Sequence, residues 1–65
     1  MLRKAIIISI KGLILSKREK NILITQKPWG VILFSRNIRS ILQTKKLTSS
    51  IRNLMKDKNY PILID

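Results

Sequence analysis

Two short apolar stretches decide the fold of this chain: KPWGVILFSRN at residues 27–37 and YPILID at residues 60–65. Each is a strand-like run that passes into polar residues at its C-terminal end. In parallel α/β folds, the C-terminal edge of the sheet is where catalytic and binding groups are placed. The two stretches therefore predict a parallel sheet whose functional edge carries Arg36, Asn37 and Asp65.

The first strand in chain order is predicted near the N-terminus, at residues 5–10, which form an Ile-rich run interrupted only by Ser9. Continuous apolar runs, in contrast to alternating ones, are typical of strands buried on both faces of a parallel sheet. The second strand is predicted at residues 31–34, opened by Gly30, and the third at residues 62–64.

Two helices are predicted between these strands. Ser16 and Glu19 have the spacing of a capping box, which starts a helix at Lys17 that ends near Thr25, before Pro28. Ser40 and Gln43 form a second capping box. Apolar residues follow at the spacing of one helix face, namely Leu47, Ile51, Leu54 and Met55. The basic residues Lys45, Lys46, Arg52 and Lys56 lie outside this apolar stripe and are expected to face water.

The predicted order is therefore β-α-β-α-β, which fits either a (βα)8 barrel of about 250 residues or a doubly wound sheet. A nucleotide-binding doubly wound domain is disfavoured because the first βα turn contains Lys11-Gly12 and no G-x-G-x-x-G. Right-handed crossovers place both helices on one side of the sheet, so the other face would lack cover. This predicts that the sequence is truncated and that further chain is needed.

The composition argues against a self-contained catalytic or metal site. The chain has 65 residues, no cysteine and no histidine, and its only acidic side chains are Glu19, Asp57 and Asp65. Acid–base pairs and metal sites are usually built from these residue types. A chain of this length is one small domain at most, and its core is marginal because it buries only about 60% of the surface of the unfolded chain.

The formal net charge of +11 leaves an alternative function open. A small basic nucleic-acid-binding protein would carry such a charge. The basic residues, however, are spread from Arg3 to Lys58, and no uninterrupted basic run exceeds a pair. The three aromatic residues lie in or beside strand-like runs instead of among the basic residues. A solvated basic surface is therefore the preferred interpretation.

The N-terminal segment, residues 1–10, has two basic residues followed by an apolar run, as a signal peptide does. The run is broken at Ser9 and at Lys11-Gly12, and no small-residue cleavage site follows. We therefore predict neither a secretion signal nor a transmembrane segment here.

Four motifs together resemble the N-terminal end of family 3 glycoside hydrolases, and most of all the bacterial cytoplasmic β-N-acetylhexosaminidases of cell-wall recycling. They are GLILS at residues 12–16 with Glu19, PWGVILFSRNI at residues 28–38, the Gln43 helix with Leu47 and IR at residues 51–52, and PILID at residues 61–65. In that family the strand that matches residues 61–65 runs directly into a motif of Gln or Glu followed by Glu-Gly-Gly. The resemblance covers nearly the whole chain, and it implies that residues 1–65 are the N-terminal part of a single (βα)8 barrel, truncated after the third strand.

The resemblance implies roles for individual residues. Asp65 matches the aspartate that hydrogen-bonds hydroxyls of a bound N-acetylglucosamine, and Arg36 and Asn37 are expected to support active-site loops. Glu19 is expected to be a helix cap, and Trp29, placed before the second strand, a packing residue. The catalytic groups lie downstream, so the chain alone is expected to be inactive. The resemblance further implies no metal or organic cofactor, a carbohydrate substrate, and neither a nucleic-acid nor a membrane partner.

Overall fold

The computed structural model describes residues 4–65, and within them the predicted β-α-β-α-β order is confirmed. The strands are β1 (Lys4–Ser9), β2 (Pro28–Leu33) and β3 (Ile62–Ile64), and the helices are α1 (Lys17–Gln26) and α2 (Ile41–Met55). A 3-10 turn at Ser35–Asn37 follows β2. The first three residues, which begin the signal-like pattern, lie outside the described part of the chain.

The three strands form one parallel sheet in the order β1-β2-β3. Ser9 is aligned with Ile32, and Ile32 is aligned with Leu63. The strands therefore end level with one another, and the segments that leave them meet at one edge of the sheet.

Strand β2 begins earlier than the sequence predicts, at Pro28 instead of Val31. Pro28 is tolerated as the first residue of the strand, where it is aligned with Lys4 of β1. Trp29 consequently lies inside β2 instead of before it, and 46% of its surface is exposed. The expectation that Trp29 is a packing residue ahead of the strand is therefore wrong in its placement, and Trp29 is not part of the buried core.

Both helices cover the same side of the sheet. Leu23 of α1 and Leu47 and Ile51 of α2 are buried together with Val31 and Leu33 of β2. The rest of this core is contributed by the segments that flank the strands, and consists of Ile10, Leu15 and Tyr60.

The opposite face of the sheet is bare within residues 4–65, as the one-sided crossovers predict. Ile7 is aligned with Gly30, and Leu63 with Ile32, so alternation places both on the face away from Val31. Ile7 is 46% exposed and Leu63 is 41% exposed. Within residues 4–65 the strands are therefore covered on one face only, by α1 and α2, and the bare second face that the crossover argument predicts is confirmed.

The helix starts follow the predicted caps, with one difference. The Ser16–Glu19 capping box is complete. At the second helix the Ser40 hydroxyl accepts from the Gln43 amide at 3.1 Å, but the Gln43 side chain accepts from the amide of Arg39 at 2.8 Å. The second capping box is therefore not reciprocal: the Gln43 side chain does not accept from the Ser40 amide, because it bonds to Arg39 and to the neighbouring loops.

The basic residues of α2 lie outside its buried stripe, as predicted, and Lys45, Lys46 and Lys56 are exposed. Arg52 is half-buried, and its Nε donates to the carbonyl oxygen of Tyr60 at 3.2 Å. Arg52 therefore joins α2 to the segment that leads into β3 instead of facing water alone. No helix in residues 4–65 has the length and apolar character needed to cross a membrane.

Candidate functional site

The candidate site lies at the C-terminal edge of the sheet, where three segments leave the strands. Residues 10–16 follow β1, the turn Ser35–Asn37 follows β2, and Asp65 follows β3. The structure therefore brings the three predicted site residues, Arg36, Asn37 and Asp65, to the same edge.

Asp65 lies directly beyond the last residue of β3. Its backbone N–H donates to the carbonyl oxygen of Leu33 at 2.9 Å, which extends the β2–β3 ladder by one residue. The residue is exposed. An ionised carboxylate in this position is an acceptor only, with room for more than one donor.

Asn37 is fully buried, and all of its side-chain polar atoms are used. Its Nδ2 donates to the carbonyl oxygens of Ile10 at 2.8 Å and Gly12 at 2.7 Å. Its Oδ1 accepts from the backbone N–H of Phe34 at 2.9 Å. One amide thus joins the end of β1 to the end of β2, with a geometry that depends on both its donor and its acceptor.

Arg36 lies beside this bridge. Its Nε donates to the same Ile10 carbonyl at 3.2 Å, and its guanidinium carbon is 4.9 Å from the centroid of the Phe34 ring. Such a distance allows a cation–π contact. Both interactions are internal, so the observed contacts of Arg36 support the loop that follows β1.

Gln43 is a residue whose role the sequence analysis missed. Its Nε2 donates to the carbonyl oxygens of Leu13 at 2.8 Å and Asn37 at 2.9 Å. The sequence offered one signal: Gln stands where a capping box often has Glu, and an amide can donate as well as accept. Its partners lie in two loops, one of them 30 residues away, and local spacing does not show them.

Glu19 also holds the loop that follows β1, in addition to its predicted role as a cap. Its two carboxylate oxygens accept from the backbone N–H groups of Ser16 and Lys11, both at 2.9 Å. Partial burial acts to raise the pKa of Glu19, but these two amides, the Ser16 hydroxyl and the charge of Lys11 outweigh it. The pKa of Glu19 therefore lies below its ordinary value.

Within residues 4–65 no group of three or more His, Cys, Asp or Glu residues is placed to bind a metal ion. An open groove of about 500 Å³ lies between the C-terminal ends of α1 and α2, at the edge of the sheet opposite to Asp65. Its lining includes Leu23, Leu54 and Asp57 and none of the three predicted site residues. This groove is therefore separate from the edge that carries Arg36, Asn37 and Asp65.

Comparison with solved structures reveals close similarity to NagZ from Neisseria gonorrhoeae. A crystal structure of NagZ in complex with N-trifluoroacetyl-D-glucosamine matches with a TM-score of 0.85 and 33% sequence identity, over 97% of this chain and 18% of that chain. A second, in complex with zinc ion, matches with a TM-score of 0.84 and 33% identity, over 97% of this chain and 19% of that chain. No protein-family model and no curated protein sequence matches the chain.

The chain spans less than a fifth of the length of these solved structures. The resemblance to β-N-acetylhexosaminidases of glycoside hydrolase family 3 is confirmed by these neighbours, and so is the α/β fold class, a βαβαβ unit like the N-terminal piece of a NagZ-like barrel.

Proposed function

We propose that this chain is the N-terminal part of a β-N-acetylhexosaminidase that removes terminal N-acetylglucosamine from peptidoglycan fragments in the cytoplasm. The observation that carries the proposal is the position of Asp65 at the C-terminal edge of the sheet, in a chain that matches NagZ with a TM-score of 0.85. The NagZ crystal structure holds N-trifluoroacetyl-D-glucosamine. The longer protein that would contain residues 1–65 as its first three strands and two helices is called the parent enzyme below. Its cytoplasmic location and its place in cell-wall recycling rest on the family resemblance.

Asp65 is the residue of this chain that binds the sugar in this proposal. Sugar hydroxyls are donors, and an exposed carboxylate can accept from two of them at once. The ladder bond from the Asp65 amide to Leu33 fixes the backbone from which the carboxylate projects. Arg36 and Asn37 support the neighbouring loops through their bonds to Ile10 and do not themselves react.

The groups that break the glycosidic bond belong to the rest of the parent enzyme. Retaining hydrolysis needs two groups that flank the bond, in the common case carboxyls about 5 Å apart. In this chain both carboxylate oxygens of Glu19 accept backbone N–H groups, which leaves that residue unsuited to proton transfer. The chain alone is therefore expected to bind sugar weakly and to have no turnover. The chemistry as proposed uses no metal or organic cofactor.

The bare face of the sheet supports the proposal of a larger barrel. Ile7 and Leu63 expose more than two-fifths of their surface there, and Ile32 is half-buried between them. In a (βα)8 barrel this face is the interior, which is filled by side chains from all eight strands. Further strands would therefore bury the apolar groups that residues 4–65 leave exposed.

The test begins with the coding DNA beyond the Asp65 codon, where an in-frame acid-Glu-Gly-Gly stretch is expected. The parent enzyme is then assayed with a chromogenic β-N-acetylglucosaminide and with peptidoglycan fragments, and the 65-residue chain serves as the inactive control. Release of chromophore by the parent and not by the short chain supports the proposal. A parent that neither hydrolyses nor binds N-acetylglucosaminides contradicts it.

A second candidate function, nucleic-acid binding by a small basic protein, draws support from the exposed cations of the two neighbouring helices. Lys17 and Lys20 of α1 and Lys45 and Lys46 of α2 are exposed. Tyr60 is fully buried, so it is not available for base stacking. Trp29 is 46% exposed, but it lies in β2 and not among these lysines. Binding by the lysines would rest on phosphate contacts, and a filter-binding titration from 50 to 200 mM salt should show a steep loss of affinity. A flat response removes this candidate.

A further inference from the structure

We propose that Gln43 is a positioning residue that holds the Asp65 edge of the sheet in its sugar-binding geometry. The inference rests on the proposed function, because it concerns the residue assigned there to the sugar. It is carried by three hydrogen bonds, linked through Asn37 and the Leu33–Phe34 peptide group, that connect the start of α2 to the Asp65 backbone.

The first step is the position of the Gln43 side chain between two loops. Its Nε2 donates to Leu13 in the loop after β1 and to Asn37 in the turn after β2, at 2.8 and 2.9 Å. Its Oε1 accepts from the Arg39 amide at 2.8 Å. One carboxamide on a helix therefore fixes three backbone groups in two segments.

The second step passes through Asn37. Gln43 holds the Asn37 carbonyl, and the Asn37 side chain in turn holds the Ile10 and Gly12 carbonyls and the Phe34 amide. Asn37 is fully buried, so its amide has no water to replace a partner that moves away. A shift of the turn after β2 would therefore disturb all of these bonds together.

The third step joins Asn37 to Asp65 through a single peptide group. The Leu33 carbonyl and the Phe34 N–H belong to the same planar unit. Asp65 N–H donates to that carbonyl at 2.9 Å, and that N–H donates to Asn37 Oδ1 at 2.9 Å. Rotation of this peptide plane would weaken both bonds, so the orientation of Asn37 limits the movement of the Asp65 backbone.

The role is separable from helix capping. The cap of α2 is the Ser40 hydroxyl, which accepts from the backbone N–H of Gln43 at 3.1 Å. A replacement of the Gln43 side chain leaves that bond in place. The variant Gln43→Met therefore removes the loop contacts without removing the cap.

The experiment compares the parent enzyme with its Gln43→Met and Gln43→Glu variants. Methionine matches the length of glutamine but cannot donate, and an ionised glutamate keeps an acceptor for Arg39 while losing both donations. Asn53→Leu, on an exposed position of the same helix, is the matched control. The readouts are KM and kcat on a chromogenic N-acetylglucosaminide, the Kd of N-acetylglucosamine, and amide hydrogen exchange at residues 34 and 65.

Both Gln43 variants should raise KM and the sugar Kd by roughly threefold to tenfold, with kcat within about twofold, because binding to Asp65 is weakened in ground state and transition state alike. Exchange at the Phe34 and Asp65 amides should be about tenfold faster, whereas exchange at Val31, in the centre of β2, should not change. Asn53→Leu should match the wild type in every readout. Either Gln43 variant decides the question if the other does not fold.

A lower unfolding midpoint with unchanged KM and unchanged sugar Kd overturns the inference, because Gln43 would then be a structural residue only. A wild-type parent without turnover or sugar binding overturns the proposed function instead. The two failures are distinguished by the wild type, which must be active before the Gln43 variants are compared.

Discussion

Pro61 lies against Gly30, and the two backbones approach too closely for a side chain at position 30. The Pro61 carbonyl oxygen accepts from the Val31 amide at 3.1 Å and is 2.9 Å from the point that a Cβ on residue 30 would occupy. The Cβ of Pro61 is 3.1 Å from the same point. The segment that leads into β3 therefore pairs with β2 only because residue 30 is glycine.

Gly30→Ala in the parent enzyme is expected to lower the free energy of unfolding by about 1 to 3 kcal/mol, since the obstruction is backbone that cannot swing aside. Urea unfolding measures the change. Gly12→Ala is the control, because nothing lies within 4 Å of a Cβ at that position. It should change stability by less than about 1 kcal/mol. Equal effects of the two substitutions would show that the Pro61 contact does not matter.

The contrast between Gly30 and Glu19 shows what the sequence can and cannot predict. The Glu19 cap depends on residues three positions apart and was predicted correctly, as were the order of strands and helices along the chain and the bare face of the sheet. Gly30 was predicted to open a strand, but its actual constraint comes from Pro61, which is distant in sequence. Local propensity carries no information about such a contact.

The candidate site was likewise predictable from the sequence only in part. The placement of Arg36, Asn37 and Asp65 at one edge follows from strands that end in polar residues, and it was predicted. The two carbonyl oxygens that accept from Asn37 Nδ2 lie 25 to 27 residues away, in the loop after β1, and no local pattern identifies them. The roles of these residues in sugar binding stay predictions.

Tyr60→Phe is expected to destabilise the parent enzyme although the ring is kept. Tyr60 is fully buried, and its hydroxyl donates to the Pro28 carbonyl at 2.7 Å. Without this donor the buried carbonyl loses a partner, at a cost of about 1 to 2 kcal/mol in the free energy of unfolding. Tyr60→Leu, measured in the same thermal and urea experiments, should cost more because it also leaves a cavity. A Phe variant as stable as the wild type would contradict the importance of this bond.

Asn37→Asp is expected to be more harmful at neutral pH than at low pH. The new carboxylate would face the Ile10 and Gly12 carbonyls that now accept from Nδ2, in a buried position. Burial and these acceptors should raise the folded-state pKa of the new carboxyl above its unfolded value of about 3.9. The stability of the variant is therefore greatest below the unfolded pKa and is lost as pH rises through the folded pKa.

At pH 7 the loss in Asn37→Asp should be about 3 to 5 kcal/mol, as for an unpaired buried charge. Asn37→Ala serves as the comparison, because it removes both Nδ2 donations, and the Phe34 bond with them, without adding a titrating group. The difference between the two variants, measured by urea unfolding from pH 5 to pH 8, should grow with pH. A difference that is independent of pH would show that the aspartate remains solvated.

Glu19 is expected to make the stability of the parent enzyme depend on pH in the opposite sense. Its folded-state pKa lies below its ordinary value of 4.5, because amide hydrogen bonds and Lys11 overcome the effect of burial. Its contribution is therefore fully present above the unfolded pKa and is lost as pH falls through the folded pKa. Glu19→Gln keeps the size of the side chain but removes this titration.

The measurement for Glu19 is the thermal unfolding midpoint of wild type and Glu19→Gln between pH 7 and pH 3. The wild type should be the more stable at pH 7, and the two should converge as the pH falls below about 4.5, the ordinary pKa of the residue. Other titrating groups cancel in this difference. Parallel profiles over the whole range would mean that the capping carboxylate contributes nothing through its charge.

Asp65→Asn in the parent enzyme tests the sugar contact directly. The substitution keeps the shape of the side chain and the ladder bond from its backbone to Leu33, but it replaces a carboxylate by an amide with a single acceptor oxygen. A hydrogen bond to a charged group contributes about 1.5 to 3 kcal/mol, so kcat/KM should fall roughly tenfold to a hundredfold. The free energy of unfolding should change little, because the substitution keeps both the ladder bond and the shape of the side chain. An Asp65→Asn enzyme with wild-type kcat/KM on the N-acetylglucosaminide would place the sugar hydroxyls on other residues, and the role proposed for Asp65 would be wrong.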